Sequence, residues 1–282
     1  MGTLYIVGTP IGNLEDITQR ALRILREAAV IACEDTRQTR KLLHHFAIHT
    51  PTVSYHEHNK QTSGPALLRR LEAGEDVALV TDAGMPGISD PGEDLVRLAV
   101  EAGITVVPVP GPAAFLTALV ASGLPAGSFA FEGFLPTKNR ERREALERLK
   151  AERRTFILYE APHRVVETLE NLRDALGERP MVAARELTKL HEEFVRGTPG
   201  ELLRHFEERQ PRGEFVLVIQ GAPPEEKVVD PADLTPAALA RAVAELEQAG
   251  VDRKAAMKEV AQRYGLSKRD VYQALLELKE EG

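Results

Sequence analysis

Gly8-Thr9-Pro10-Ile11-Gly12-Asn13 follows the first apolar run of the chain, where a nucleotide-binding sheet would set its glycine-rich turn. The spacing G-x-x-x-G is neither the dinucleotide fingerprint nor a P-loop, and Pro10 removes an amide that a phosphate would use. A second loop, Thr81 to Gly92, packs three glycines and two prolines into twelve residues. Its Asp82 and Asp90 offer acceptors, not anion-binding donors. Asp82 stands directly at a strand end and suits a ligand; Asp90 suits a ligand or the cap of the next helix equally well. A third loop, Pro110-Gly111-Pro112, leads into Ala113 and Ala114, whose small side chains permit either close approach of a ligand or tight helix packing. Together these loops fit a cofactor that lacks phosphates and carries a cationic sulfonium, such as S-adenosylmethionine, better than NAD.

Two more strand ends carry polar clusters. Glu34-Asp35-Thr36-Arg37 is followed by Arg40 and Lys41, so Arg37, Arg40 and Lys41 share one helical face that can meet phosphates or simply be solvated. Tyr55-His56-Glu57-His58-Asn59 combines an aromatic ring, two imidazoles, a carboxylate and an amide. The histidine spacings give no zinc site, and no metal is expected. Stacking on, and hydrogen bonding to, an unpaired base suits these groups better.

The elements that must hold these loops can be read from periodicity. Short β-branched runs at Leu4 to Val7, Val30 to Cys33, Thr52 to Tyr55, Val77 to Thr81 and Ile104 to Val109 alternate with amphipathic helices, which predicts a doubly wound parallel sheet over residues 1–112. In the first helix Asp16 is the expected cap. A second α/β unit, 113–221, has strands near Phe129, Phe156, Met181, Glu193 and Glu214 in a mixed sheet. Residues 222–236 form a polar, proline-rich linker, and 237–282 an all-helical tail. Its Ala256, Val260, Ala261, Leu266, Val271 and Leu275 follow a helix-turn-helix pattern with Ser267 as a cap. Seven basic and six acidic residues beyond position 250 leave that tail either a packing or a nucleic-acid role.

Composition narrows the function. The 282 residues are 43% hydrophobic and 28% charged, with a formal net charge of −7, which argues against non-specific coating of nucleic acid but not against a local basic site. The local exception to the acidic balance is Lys138 to Arg154, with eight basic and four acidic side chains, among them Arg142 and Arg143. The lone Cys33 suits a reducing cytosol. No apolar run is long enough for a membrane span, and neither a signal peptide nor a membrane partner is expected.

The succession GTPIGNLEDIT, ACEDTRQTRKLL, SYHEHN, TDAGMPGISDPG, VPGPAA, SGLP, FEGFLP and YEAPHR resembles the tetrapyrrole-methylase superfamily over about residues 3–221. Within it, the chain is similar to the branch that methylates a cytidine ribose 2'-hydroxyl in 16S rRNA. Precorrin methylases tend to have glycine-aspartate-proline where this chain has Asp82-Ala83-Gly84, which points away from tetrapyrroles. The resemblance implies a site for S-adenosylmethionine between the two α/β units, touched by Pro10, Ile11, Asp82, Ala83, Gly84, Met85, Ala113, Ala114 and Tyr159. It also implies a cytoplasmic homodimer acting on 16S rRNA, within the small ribosomal subunit.

On that reading the reaction is an in-line displacement that the protein must align, and a carboxylate or histidine can take the hydroxyl proton. Glu57, Glu34 and His56 are the candidates, and the sequence does not choose among them. RNA contacts are expected from Arg37, Arg40, Lys41, Tyr55, His58, Asn59, Arg142 and Arg143. A tetrapyrrole C-methyltransferase and a ligand-sensing nucleic-acid-binding regulator remain the alternatives; the first has no need of the basic helix and tail, and the second would bind duplex DNA without methyl transfer.

Overall fold

The computed structural model describes residues 1–209, 211–223 and 235–280. The chain folds as two compact units, Met1–Ala222 and Pro223–Gly282. The larger unit holds two five-stranded sheets. The first runs β3-β2-β4-β1-β5, with β1 (Thr3–Val7), β2 (Val30–Cys33), β3 (Thr52–Ser54), β4 (Val77–Leu79) and β5 (Thr105–Val109) all parallel. The second runs β6-β7-β10-β8-β9, from β6 (Phe129–Phe134), β7 (Thr155–Glu160), β8 (Met181–Arg185), β9 (Glu193–Gly197) and β10 (Phe215–Ile219). There β6 and β7 are parallel and the other pairings antiparallel, so the sheet is mixed, and the two expected α/β units are present with a helical C-terminal group.

The strands are buried on both faces because each residue parity serves a different core. In β1 and β2, Leu4, Ile6, Val30 and Ala32 pack with α3 (Lys60–Glu72) and α4 (Gly92–Glu101), while Val7, Ile31 and Cys33 pack with α1 (Gln19–Glu27) and α2 (Thr36–His45). In β10, Phe215, Leu217 and Ile219 face α6 (Asn139–Lys150), α7 (Val165–Leu176) and α8 (Pro199–Glu208). Val216 and Val218 face α5 (Ala114–Ser122). Burial pushes the Cys33 thiol up, leaving it a small core residue.

Local chemistry corrects one boundary. Asp16 does not cap α1: Leu14 to Asp16 form their own 3-10 turn, and the cap is Thr18, whose hydroxyl accepts from the Ala21 amide. Thr18 has the extended backbone from which a side chain reaches the third helical amide, whereas Asp16 lies one short turn too early. Gly74 and Gly103 stop α3 and α4 in left-handed conformations.

The C-terminal group is α9 (Pro236–Gln248), α10 (Arg253–Tyr264) and α11 (Lys268–Glu280), gathered around Leu239, Val243, Ala256, Val260 and Val271. Most of the predicted linker, residues 224–234, lies outside the described residues. Among the described residues no helix is long and apolar enough to cross a membrane.

Two glycines let the loops after β1 and β5 touch. A Cβ on Gly8 would stand 2.7 Å from the Gly111 Cα and 2.7 Å from the Met85 sulfur, and one on Gly111 would meet the Gly8 Cα at 2.8 Å. Gly8→Ala should therefore lower stability by about 1–3 kcal/mol, the range for overpacking a filled site. Gly127, whose Cβ would meet nothing within 4 Å, is the control and should tolerate alanine. Denaturant melts of the two variants check this; equal stability would mean that the loops part freely.

Candidate active site

The carboxyl ends of β1, β4 and β5 open into a cleft of about 590 Å³ whose opposite wall comes from the second sheet. Its floor is backbone. Thr9 and Gly84 exchange both amide hydrogen bonds, at 2.9 and 3.1 Å, and the Thr9 hydroxyl donates to the Thr81 carbonyl at 3.2 Å. Gly84 has φ +86°, so this reversal suits glycine. Asp90 folds the rest of the loop by accepting from the Gly87 amide at 2.9 Å and the Gly92 amide at 2.7 Å. It therefore lines the cleft while serving its own turn.

Of the nine residues that the resemblance placed at a cofactor, Ile11, Asp82, Ala83, Gly84, Met85, Ala113, Ala114 and Tyr159 line this cleft together. Pro10 is half-buried and is not among the lining residues. Tyr159 ties the second sheet to α5: its hydroxyl accepts from the Phe115 amide at 3.3 Å, and burial pushes its pKa up. Around it Phe131 and Phe134 stand edge-on at 4.9 and 5.6 Å, an apolar wall that sequence patterns did not assign to the site. Glu160, fully buried beside it, accepts from the Thr168 hydroxyl at 2.6 Å and the Ala161 amide at 2.8 Å, with Arg164 3.6 Å away. The loop between β8 and β9 adds Leu187 and Lys189 to the lining. It crosses to the first sheet so closely that a Cβ on Gly12 would meet the Lys189 side chain at 2.6 Å.

The three proton-acceptor candidates separate. Glu34 lines the cleft because β2 pairs with β4, which sets it beside Thr81, whose hydroxyl lies 3.4 Å from the carboxylate. Burial raises the Glu34 pKa, and the neighbouring Asp82 and Asp90 raise it further. Glu57, exposed as Glu34 is, holds Lys60 at 2.8 Å and does not line the cleft; neither does His56. Asp82 in turn accepts from the Asp35 amide at 3.1 Å, joining the loops after β2 and β4.

Two expected RNA contacts are corrected. Tyr55 is 2% exposed and lies in the core with Leu67, Leu71 and Leu95, its pKa pushed up to about 12 by burial, so it offers no platform for a base. The ladder continues past β3, with the Tyr55 amide on the Cys33 carbonyl, and period two then puts Tyr55 on the inward face with Val53. Arg142 is buried too, its guanidinium paired with Glu167 and donating to the Thr137 carbonyl at 3.1 Å. It occupies the inward face of α6 with Ala145, Leu146 and Leu149. Asn59 binds its own turn, accepting from the His56 amide and donating to Ser54. His58, Arg40, Lys41 and Arg143 are exposed, while Arg37, also exposed, is forked onto Asp35. That fork holds the Asp35 carboxyl down at about 2.

A cleft at the carboxyl ends of the strands of a parallel sheet is where α/β folds bind small ligands. The chain belongs to the tetrapyrrole (corrin/porphyrin) methylase family, whose model matches residues 3–203. It is 49% identical over 283 residues to the ribosomal RNA small subunit methyltransferase I of Synechocystis, covering all of both chains. To the protein of the same name from Halalkalibacterium halodurans it is 50% identical, over 96% of this chain and 93% of that one. Uroporphyrin-III C-methyltransferase from Thermus thermophilus has the same fold, with TM-score 0.56, 24% identity and coverage of 77% of this chain and 94% of that one. A structure of that enzyme complexed with S-adenyl homocysteine gives 0.53 at 22% identity, over 77% of this chain and 97% of that one.

Arg142 and Arg143 of α6 can be told apart. Arg142→Ala strands the half-exposed Glu167 and should cost about 1–3 kcal/mol. Arg143→Ala, on the solvated face, should change stability by no more than about 0.5 kcal/mol. Thermal melts of both variants check the assignment; equal melts would return Arg142 to the surface.

Proposed function

We propose that this chain transfers a methyl group from S-adenosylmethionine to the ribose 2'-hydroxyl of a cytidine in 16S rRNA. The observation that carries the reading is the meeting, in one cleft, of the Glu34 carboxylate with the loops after β1, β4 and β5. The full-length likeness to rRNA small subunit methyltransferases supports the substrate class.

The lining fits the cofactor. It is apolar at Ile11, Ala113 and Leu187, acidic at Glu34, Asp82 and Asp90, and includes Lys189 as its one lysine among the described residues. Such a site favours a cation with an apolar body and disfavours a phosphate. The cofactor supplies a methyl group already activated on a sulfonium. Asp82 and the carbonyl-rich Ala83 to Met85 loop hold its charged and polar ends, and Ala113 and Ala114 leave room for its rings. The Tyr159 wall keeps water from that side of the cleft. Glu34 takes the proton of the ribose hydroxyl at its carboxylate, and its raised pKa makes it a stronger base than an ordinary surface glutamate.

On this reading Arg40 and Lys41, on the helix that starts two residues beyond Glu34, meet the RNA backbone, together with Arg143 of α6. The protein works in the cytoplasm on the assembled small subunit and as a homodimer. Leu116 and Val120, 45% and 71% exposed one turn apart on α5, supply an apolar face consistent with a partner copy. Sedimentation should show a dimer that Val120→Glu dissociates; a wild-type monomer would contradict the homodimer.

Glu34→Gln should slow single-turnover methylation of 30S particles by roughly 10²-fold, the scale of general-base loss. The sign of the pH dependence follows from the raised pKa: the wild-type rate climbs as pH rises through it, and the variant lacks that limb. Calorimetry should show cofactor binding retained. A variant with the wild-type rate and profile would remove Glu34 from proton transfer.

A further inference from the structure

The α9–α11 group has a feature that methyl transfer in the cleft does not use. From Arg253 to Arg269 the chain carries six basic residues and one acidic residue, Glu259, although residues 235–252 carry one basic and three acidic residues. All six cations are exposed. Two are engaged within the group, Arg253 with Glu247 and Arg263 with Glu259, each at 3.8 Å. Lys254, Lys258 and Lys268 make no ion pair among the described residues.

This charge is carried by α10, α11 and the turn between them. The turn is rigid: Gly265 has φ +66° and its amide returns to the Ala261 carbonyl, while Ser267 and Asp270 cap α11 reciprocally at 2.9 and 3.2 Å. Lys254 and Lys258 lie one turn apart on α10. On α11 the exposed stripe is Arg269, Tyr272, Gln273 and Leu276, the i, i+3, i+4, i+7 face opposite the buried Val271 and Ala274. Tyr272 is 52% exposed, an aromatic ring in water directly beside the cations. A packing helix would bury that ring.

We infer that α10 and α11 form a second RNA-binding surface, on which Lys254, Lys258, Lys268 and Arg269 take backbone phosphates and Tyr272 stacks on an unpaired base. The inference rests on the proposed rRNA substrate for the choice of RNA over DNA. Exposed aromatics among cations suit unstacked RNA, whose bases are splayed out, better than a closed duplex. The surface docks the substrate and takes no part in the reacting atoms, which are handled by a unit with its own separate core.

The test uses the full chain with Lys268→Ala and Arg269→Ala combined, and separately Tyr272→Ala. Filter binding to a 16S rRNA fragment across a salt series should show the double variant's log-log slope reduced by about 1.4–1.8, two lost phosphate contacts. The KM for 30S particles should rise roughly tenfold with kcat unchanged, since docking and chemistry are separate. The exchange variant Lys268→Arg with Arg269→Lys should restore the slope, which excludes misfolding, and Tyr272→Phe should bind as wild type while Tyr272→Ala weakens. An unchanged slope and KM in the double variant overturn the inference. So does a loss confined to a duplex DNA competitor. Cofactor affinity, measured in parallel by calorimetry, reads the cleft alone: a wild-type chain that binds no S-adenosylmethionine overturns the proposed methyl transfer, while the salt slope still decides the α10–α11 surface.

Discussion

The backbone contact among three loops at the strand ends carries the rest of the site. Gly8 lies against Gly111 with no space for a Cβ, and Thr9 is bridged to Gly84 by two amide hydrogen bonds. Because β4, β1 and β5 are neighbours in the sheet, this knot fixes the Ala83 to Met85 loop and the start of α5 relative to each other. Tyr159 then anchors the second sheet to the first turn of α5 through the Phe115 amide. The cleft is thus assembled from main chain and from side chains that are themselves held, which is the preorganisation that aligning an in-line displacement requires.

Charge is sorted by location, which resolves how an acidic chain can act on a polyanion. Glu34, Asp82 and Asp90 gather where a cationic methyl donor would sit, and the two aspartates raise the cost of ionising Glu34. A cation bound among them offsets that repulsion; a single pair 4 Å apart gains about 4 kcal/mol at an effective dielectric of 20, before desolvation. The exposed cations of α2 and α6 lie outside the cleft lining. The net charge of −7 is the sum of these separate regions and describes none of them.

Elements were legible in the sequence where periodicity was strong. Val30 to Cys33 and Met181 to Arg185 have the limits their β-branched and apolar runs suggest, and Gly265 ends α10 where a glycine should. The loops that line the cleft were legible as strand-end glycine and proline clusters. Tyr55 and Arg142 were misread although parity held the answer: period two puts Tyr55 inward with Val53, and helical spacing puts Arg142 with Ala145, Leu146 and Leu149. That Glu34 lines the cleft and Glu57 does not was not legible. It depends on β2 pairing with β4, a long-range adjacency that brings residue 34 beside 81 and 82. The aromatic wall and the β8–β9 loop were missed for the same reason, since they reach the cleft only when the second sheet folds against the first.

The measurement closest to the central claim is the chemical position of the transferred methyl group. Small subunits labelled with tritiated S-adenosylmethionine and this protein can be hydrolysed in alkali, which cleaves RNA only where a free 2'-hydroxyl attacks the adjoining phosphate. The account predicts that the label survives in an alkali-resistant dinucleotide beginning with cytidine. Label released as an ordinary mononucleotide, which would place the methyl on a base, or a complete absence of label from RNA, would contradict it.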